Sequence, residues 1–170
     1  MRKVLLVAVA VAAMVVGVIL VRHGHAGTKA RWHADDQLRP LSQRGHLQAA
    51  SLVGTLAADP VDAVWSSPAI RCHQTVEPLA AARGLAVHDN DLLGKNARID
   101  ALLQWLLAHE HDPWILCTHG EVFKALLVAG RSAGLVTAPA RVTEKGAAWR
   151  VTRGTDAPLE LEYLPPIPYS

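Results

Sequence analysis

The sequence predicts an α/β fold, a three-layer α/β/α sandwich with a mostly parallel central sheet. Short apolar runs alternate with amphipathic stretches, the pattern of strands covered by helices. Three of those runs end in polar clusters, as strands of an open α/β sheet do where ligands bind beyond their carboxyl ends. The 170 residues are 51% hydrophobic and only 5% aromatic, so alanine, leucine and valine must fill one core.

Gly17 to Val21 reads as the first strand, followed by a polar, charged loop from His25 to Pro40. Ser42 is placed to N-cap a helix reaching about Ala57, with Leu47, Ala50, Leu52 and Leu56 available for its buried side. Asp59-Pro60 breaks it, and Val61 to Trp65 forms the second strand. Pro68 suits the first turn of the next helix, which runs to about Arg83 and stops at Gly84; Pro78 is expected to kink or divide it. Leu85 to His88 is a short third strand. Ile99, Leu102, Leu103, Leu106 and Leu107 make one helical stripe. Trp114 to Cys117 is the fourth strand, and a helix follows over about Glu121 to Ala129. The period-two stretches around Trp149-Arg150-Val151 and Leu159 to Tyr163 predict an edge hairpin or meander with one wet face. The domain is expected over 17–164, with a poorly ordered proline-rich tail over 165–170.

The first sixteen residues stand apart. Val4 to Val21 is an unbroken apolar run after Arg2 and Lys3, at the lower length limit for a membrane span. Its last third is required as a strand, which leaves only about Val4 to Val16, short for a span. Residues 1–16 are therefore read as an apolar extension: an anchor, a signal-like segment or a start-site extension. A cytoplasmic location is the expectation, with membrane attachment through residues 4–16 as the alternative.

A net charge of +2 with interspersed signs gives no footprint for nucleic acid. Cys72 and Cys117 do not make a disulfide framework, and read as buried free thiols in a reducing compartment. Each neighbours a candidate site residue, which raises the prospect of a redox-sensitive pair. His109 and His111 flank Glu110 but are two apart, against the four that a helical zinc motif needs. No metal and no cofactor are expected. Glycine, threonine and lysine occur over Gly24 to Lys29, though not in P-loop order.

The chemistry gathers at three strand ends: Arg22-His23-Gly24, Ser66-Ser67-Pro68 with Arg71, and Thr118-His119-Gly120. Two guanidinium groups, two imidazoles and helix-terminal N–H groups suit a phosphoryl dianion. His23 is the candidate nucleophile, with Gly24 small enough to let substrate approach the backbone. His119 is the candidate donor to the transferring group, and Arg22 and Arg71 the stabilisers of its charge. Lys29, Thr118 and Gly120 are candidate phosphate or substrate contacts. Lys29 reads equally as part of a solvated loop, and Thr118 as a group satisfying backbone at the strand end.

These motifs together resemble the histidine phosphatase superfamily, also called phosphoglycerate mutase-like. Leu20 to Gly24 resembles its signature triplet, and Arg39 to Gly45 with Gln48-Ala49 its second motif. Ser66 to Arg71 with Gln74-Thr75 resembles the third, and Cys117 to Gly120 the fourth. Only 119 − 71 = 48 positions separate Arg71 from His119, so the chain is similar to the compact phosphohistidine phosphatase branch. It also resembles the phosphatase domain fused to some Nudix hydrolases, with no Nudix motif present.

The resemblance implies a phosphohistidine intermediate on His23 and a phosphorylated small molecule or phosphoprotein as partner. It breaks at Leu92-Leu93-Gly94, where glycine stands in place of the family's acidic glutamate. Asp89, Asp91 and Glu121 are nearby alternatives. A missing acid favours substrates with good leaving groups: phosphohistidine, acyl phosphates or phosphoanhydrides. Mutase-type transfer and a non-catalytic phosphate-binding module are the rival readings.

Overall fold

The computed structural model describes residues 17–137, 143–154 and 156–167. The strands are β1 (Ile19–Arg22), β2 (Ala63–Ser66), β3 (Val87–Asp89), β4 (Trp114–Thr118), β5 (Val136–Thr137), β6 (Ala148–Arg153) and β7 (Leu159–Leu164). The helices are α1 (Gln43–Thr55), α2 (Ile70–Ala82), α3 (Ile99–Ala108) and α4 (Gly120–Ser132). Two 3-10 turns, Lys29–Arg31 and Asp36–Leu38, interrupt the polar loop.

The strands form one sheet in the order β3-β2-β4-β1-β6-β7-β5. Pairings among β1 to β4 are parallel, and β6 joins β1 and β7 antiparallel. The pleat divides the core. Val18 and Leu20 enter one apolar cluster with Leu102, Leu106, Phe123 and Leu126 of α3 and α4. Ile19 and Val21 enter the other, with Leu52, Val76 and Leu79 of α1 and α2. Each fully buried side chain of this kind contributes about 1.5–3 kcal/mol. A strand covered on both faces reads as an unbroken apolar run, which is why Gly17 to Val21 looked like the end of a membrane span. Among the described residues no helix is long and apolar enough to cross a membrane. Residues 1–16, and with them the anchor alternative, lie outside the described residues, as do 168–170 of the tail.

Three expectations need correction. The β6–β7 hairpin is at the edge only in part: β6 lies between β1 and β7, and among the described residues β5 covers Leu159 and Glu160 of β7. β6 is interior because it pairs on both sides, and its inward face carries Trp149, whose fully buried ring lies 5.7 Å from Phe123 of α4. The buried side of α1 is Gly45, Gln48, Ala49 and Leu52, while Leu47 and Ala50 are exposed. Close backbone contact sets that rotation: a Cβ on Gly45 would stand 2.1 Å from the His25 carbonyl oxygen. Finally, α2 starts at Ile70, two residues past Pro68, and runs undivided through Pro78. Gly84, at φ +66°, follows its last turn as the sequence predicts.

Candidate active site

Sheet register builds the site. Arg22 pairs with Thr118, and Ser66 with Cys117, so β1, β2 and β4 end almost level. The residue after each strand, His23, Ser67 or His119, thus emerges on one carboxyl-end rim. The loops continue the ladder for one more bond: His23 N donates to Thr118 O at 3.0 Å, and Ser67 N to Cys117 O at 3.0 Å. α4 begins at Gly120, which brings its positive N-terminal end to the same rim.

His23 and His119 meet edge to face, with ring centroids 5.3 Å apart. The His23 Nδ1–H donates to the Gly24 carbonyl at 2.8 Å, which leaves Nε2 with its lone pair. Burial, to 6% exposure, is the main cause that pushes the His23 pKa down to about 3. The Gly24 bond opposes the shift, while His119, Arg71 and Arg22 reinforce it. His23 is therefore neutral at physiological pH.

The tautomer of His119 follows from its partners. Arg71 Nη2, which can only donate, approaches Nδ1 at 3.3 Å, so Nε2 carries the proton and donates to Ser67 Oγ at 2.8 Å. Ser67 thus holds the second histidine in place. The thiol of Cys72 is 3.7 Å from the same Nε2 and interacts with Cys117; both cysteines are fully buried, and burial pushes the Cys117 thiol well up.

Arg22 leaves β1 to donate to the Thr143 carbonyl, and its guanidinium lies against Gly120. Gly24 N donates to Thr75 Oγ1 at 3.0 Å, which ties the histidine loop to α2. Thr118 turns its hydroxyl to the Leu93 carbonyl at 2.7 Å, the backbone-satisfying alternative of its two readings. His25 binds Ser42 Oγ through Nδ1 at 2.7 Å, and its backbone N–H donates to Gln48 Oε1 at 2.7 Å, so it braces the loop against α1.

A cavity of about 490 Å³ opens over this rim, with Lys29, Asp36, Ser67, Arg71, Lys95 and His119 in its wall. A larger recess of about 830 Å³, lined by α1 and by Pro165 to Ile167, includes none of the three strand-end clusters. Asp36 and Lys95 were not among the residues that sequence reasoning singled out. Asp36 accepts from Arg71 Nη2 at 3.1 Å, from Lys95 at 2.7 Å and from Arg39 at 2.8 Å, and its backbone oxygen takes Arg71 Nη1 at 2.5 Å. Partial burial opposes its ionisation, but Lys95, Arg39 and Arg71 outweigh that and hold it well below the usual carboxylate range.

Of the candidate acids, Asp89 pairs with His73 at 2.5 Å and Glu121 lies 3.3 Å from Lys95. Burial opposes ionisation of Glu121, yet its own backbone N–H and Lys95 lower its pKa. Glu121 is therefore not poised to give up a proton at neutral pH. Asp91 lines the cavity. Away from the rim, Glu110 pairs with Arg153 at 2.8 Å and His109 with Asp112 at 2.7 Å, so the zinc reading finds both groups engaged elsewhere. Among the described residues no group of three or more potential ligands could hold a metal ion.

An α/β/α sandwich with two histidines and two arginines on one rim defines a phosphoryl-binding class of protein. Residues 18–95 match the model of the histidine phosphatase superfamily (branch 1), a span that includes Arg22, His23 and Arg71. The chain belongs to that superfamily. It is 32% identical over 154 residues to an 8-oxo-(d)GTP phosphatase of Mycolicibacterium smegmatis; the match covers 88% of this chain and 48% of that protein, about half its length. The SixA-type chain of Agrobacterium tumefaciens, assigned as a phosphohistidine phosphatase, is 25% identical with a TM-score of 0.67, covering 89% of this chain and 99% of that one. The protein histidine phosphatase SixA solved with tungstate shares the fold at 20% identity and a TM-score of 0.65, over 88% of this chain and 96% of that one.

Proposed function

We propose that the chain is a phosphatase that works through a phosphohistidine on His23, over the domain 17–164. The observation that carries this reading is the His23 ring: its Nδ1 proton is fixed on Gly24 and its Nε2 is unprotonated beside His119. A neutral imidazole nitrogen held at a cationic rim is a competent nucleophile towards phosphorus. Nε2 attacks, the new P–N bond forms as the bond to the leaving atom breaks, and the electron pair departs on that atom, oxygen in an ester or anhydride and nitrogen in a phosphohistidine. Arg22, Arg71 and the α4 N-terminus stabilise the charge spread over the transferring oxygens. His119 lies beside this group, held by Ser67 and Arg71, and Lys29 stands at the cavity mouth. Water then attacks phosphorus, the P–N pair returns to Nε2, and phosphate is released. No step is assigned to a metal or a cofactor.

The substrates proposed are phosphohistidine, acyl-phosphate or phosphoanhydride compounds, because Gly94 supplies no acid where the family has one and Glu121 is paired with Lys95, which favours good leaving groups. The relatives named for phosphohistidine and for 8-oxo-(d)GTP support that range. Incubation with p-nitrophenyl phosphate tests the reading. Phosphate release with a labelled His23 is expected, and binding without release would favour a non-catalytic module. Exchange between hydroxyls without release would favour a mutase.

A further inference from the structure

The Arg71 guanidinium is 1% exposed and its fork is already occupied. Nη1 donates to the Asp36 backbone oxygen, and Nη2 lies between His119 Nδ1 at 3.3 Å and Asp36 Oδ2 at 3.1 Å. Arg71 therefore spans two places: an inner one beside the histidines and an outer one filled by a carboxylate. Lys95 reaches that same outer oxygen at 2.7 Å, and Arg39 holds the other oxygen of the group. Three cations converge on one anion supplied by the chain itself. Meanwhile the cavity wall includes Arg71 and His119 but stops short of His23.

We infer that Asp36 marks the seat of a second anionic group of the substrate, and that Lys95 with Arg71 binds the leaving phosphate of a phosphoanhydride. This rests on the phosphatase reading of His23 and narrows its substrate. When substrate enters, its outer phosphate replaces the Asp36 carboxylate, and the inner phosphoryl reaches His23. The bond between the inner phosphorus and the bridging oxygen breaks as the P–N bond forms. The bridging oxygen leaves with the electron pair as part of a phosphate. A leaving phosphate needs no proton to depart, and the Lys95 ammonium offsets its growing charge. Lys95 follows Gly94, where the family's acidic glutamate is missing, so a cation replaces an acid at this side of the site. An aryl or alkyl ester has nothing to place on Lys95.

The test compares pyrophosphate with p-nitrophenyl phosphate in the wild type, Lys95→Ala and Lys95→Arg, with unfolding midpoints measured for each. Loss of a charge-assisted bond predicts that Lys95→Ala lowers kcat/KM for pyrophosphate by about 10- to 100-fold. The fall for p-nitrophenyl phosphate is expected to be at least about tenfold smaller, and Lys95→Arg to recover most of the difference. Equal losses on both substrates overturn the inference. If the wild type hydrolyses p-nitrophenyl phosphate through His23 but not pyrophosphate, the inference falls and the phosphatase reading stands. If it hydrolyses neither, both fall.

Discussion

The Arg22 guanidinium lies so close over Gly120 that a Cβ at that position would stand 2.6 Å from Arg22 Cζ and 2.7 Å from its Nε. The small residue in Thr118-His119-Gly120 is therefore explained by an arginine from another strand. Gly120→Ala must push the guanidinium off the rim. We expect kcat/KM to fall by about 100-fold, the scale of losing one preorganised charge-stabilising group. The unfolding free energy should drop by only about 1–3 kcal/mol, as for other overpacked contacts. Steady-state kinetics beside a urea melt checks this, and unchanged kinetics would show that Arg22 does not act from this position.

Arg71 sets the tautomer of His119, and Ser67 accepts the Nε2 proton and holds the ring. Ser67→Ala removes the acceptor of the Nε2–H while leaving Arg71 beside Nδ1. The ring is then free to turn, and we expect about a tenfold fall in kcat with a smaller change in KM. Nitrogen NMR of the labelled histidine gives a readout that packing alone would not move: His119 should keep the Nε2–H tautomer that Arg71 fixes, with its Nε2 resonance shifted by loss of the Ser67 acceptor.

The depressed pKa of His23 has two consequences with different signs. Its value of about 3 keeps the nucleophile neutral, so kcat/KM should show no acidic limb near pH 6.5 from this residue. Stability behaves otherwise. Between about pH 6.5 and pH 3 the unfolded chain binds a proton on this histidine that the native protein does not, so stability rises with pH through that window and falls on acidification. Asp36, held below its usual range, acts in the same direction at lower pH. His23→Ala should flatten the dependence of the urea midpoint on pH between 4 and 6.5.

Asp36 occupies donors that an anion would use. Asp36→Asn removes the charge that competes for Arg71, Arg39 and Lys95. Inorganic phosphate should then inhibit p-nitrophenyl phosphate hydrolysis at a concentration about tenfold lower than in wild type. Native stability should fall by about 1–3 kcal/mol, because a buried arginine loses its partner. A weaker phosphate affinity in the variant would contradict this role.

The layers, the parallel half of the sheet and the three strand-end clusters were legible because each follows from local pattern: an apolar run, then polar residues, then a helix. Register turned that pattern into a site by ending β1, β2 and β4 almost level. The interior place of β6 was not legible. It depends on pairing with β1, which sets Ile19 beside Arg150 across most of the chain, and no local periodicity carries that. The turn of α1 was missed for a similar reason, since Gly45 is fixed by the backbone of His25 and not by an apolar stripe. Asp36 read as one more charge in a polar loop. Only the fold brings Arg39, Arg71 and Lys95 around it, and the adjacent Asp35-Asp36 pair ahead of Arg39 was the faint signal available.

The most direct test of the account is rapid acid-free quenching of the protein with p-nitrophenyl phosphate, followed by mass-spectrometric mapping of phosphate on histidine peptides. The account predicts a transient phosphate on His23 alone, formed and lost at rates consistent with turnover, and absent from His23→Ala together with phosphate release. Turnover that persists in His23→Ala, or a phosphate carried on His119 instead, would contradict it.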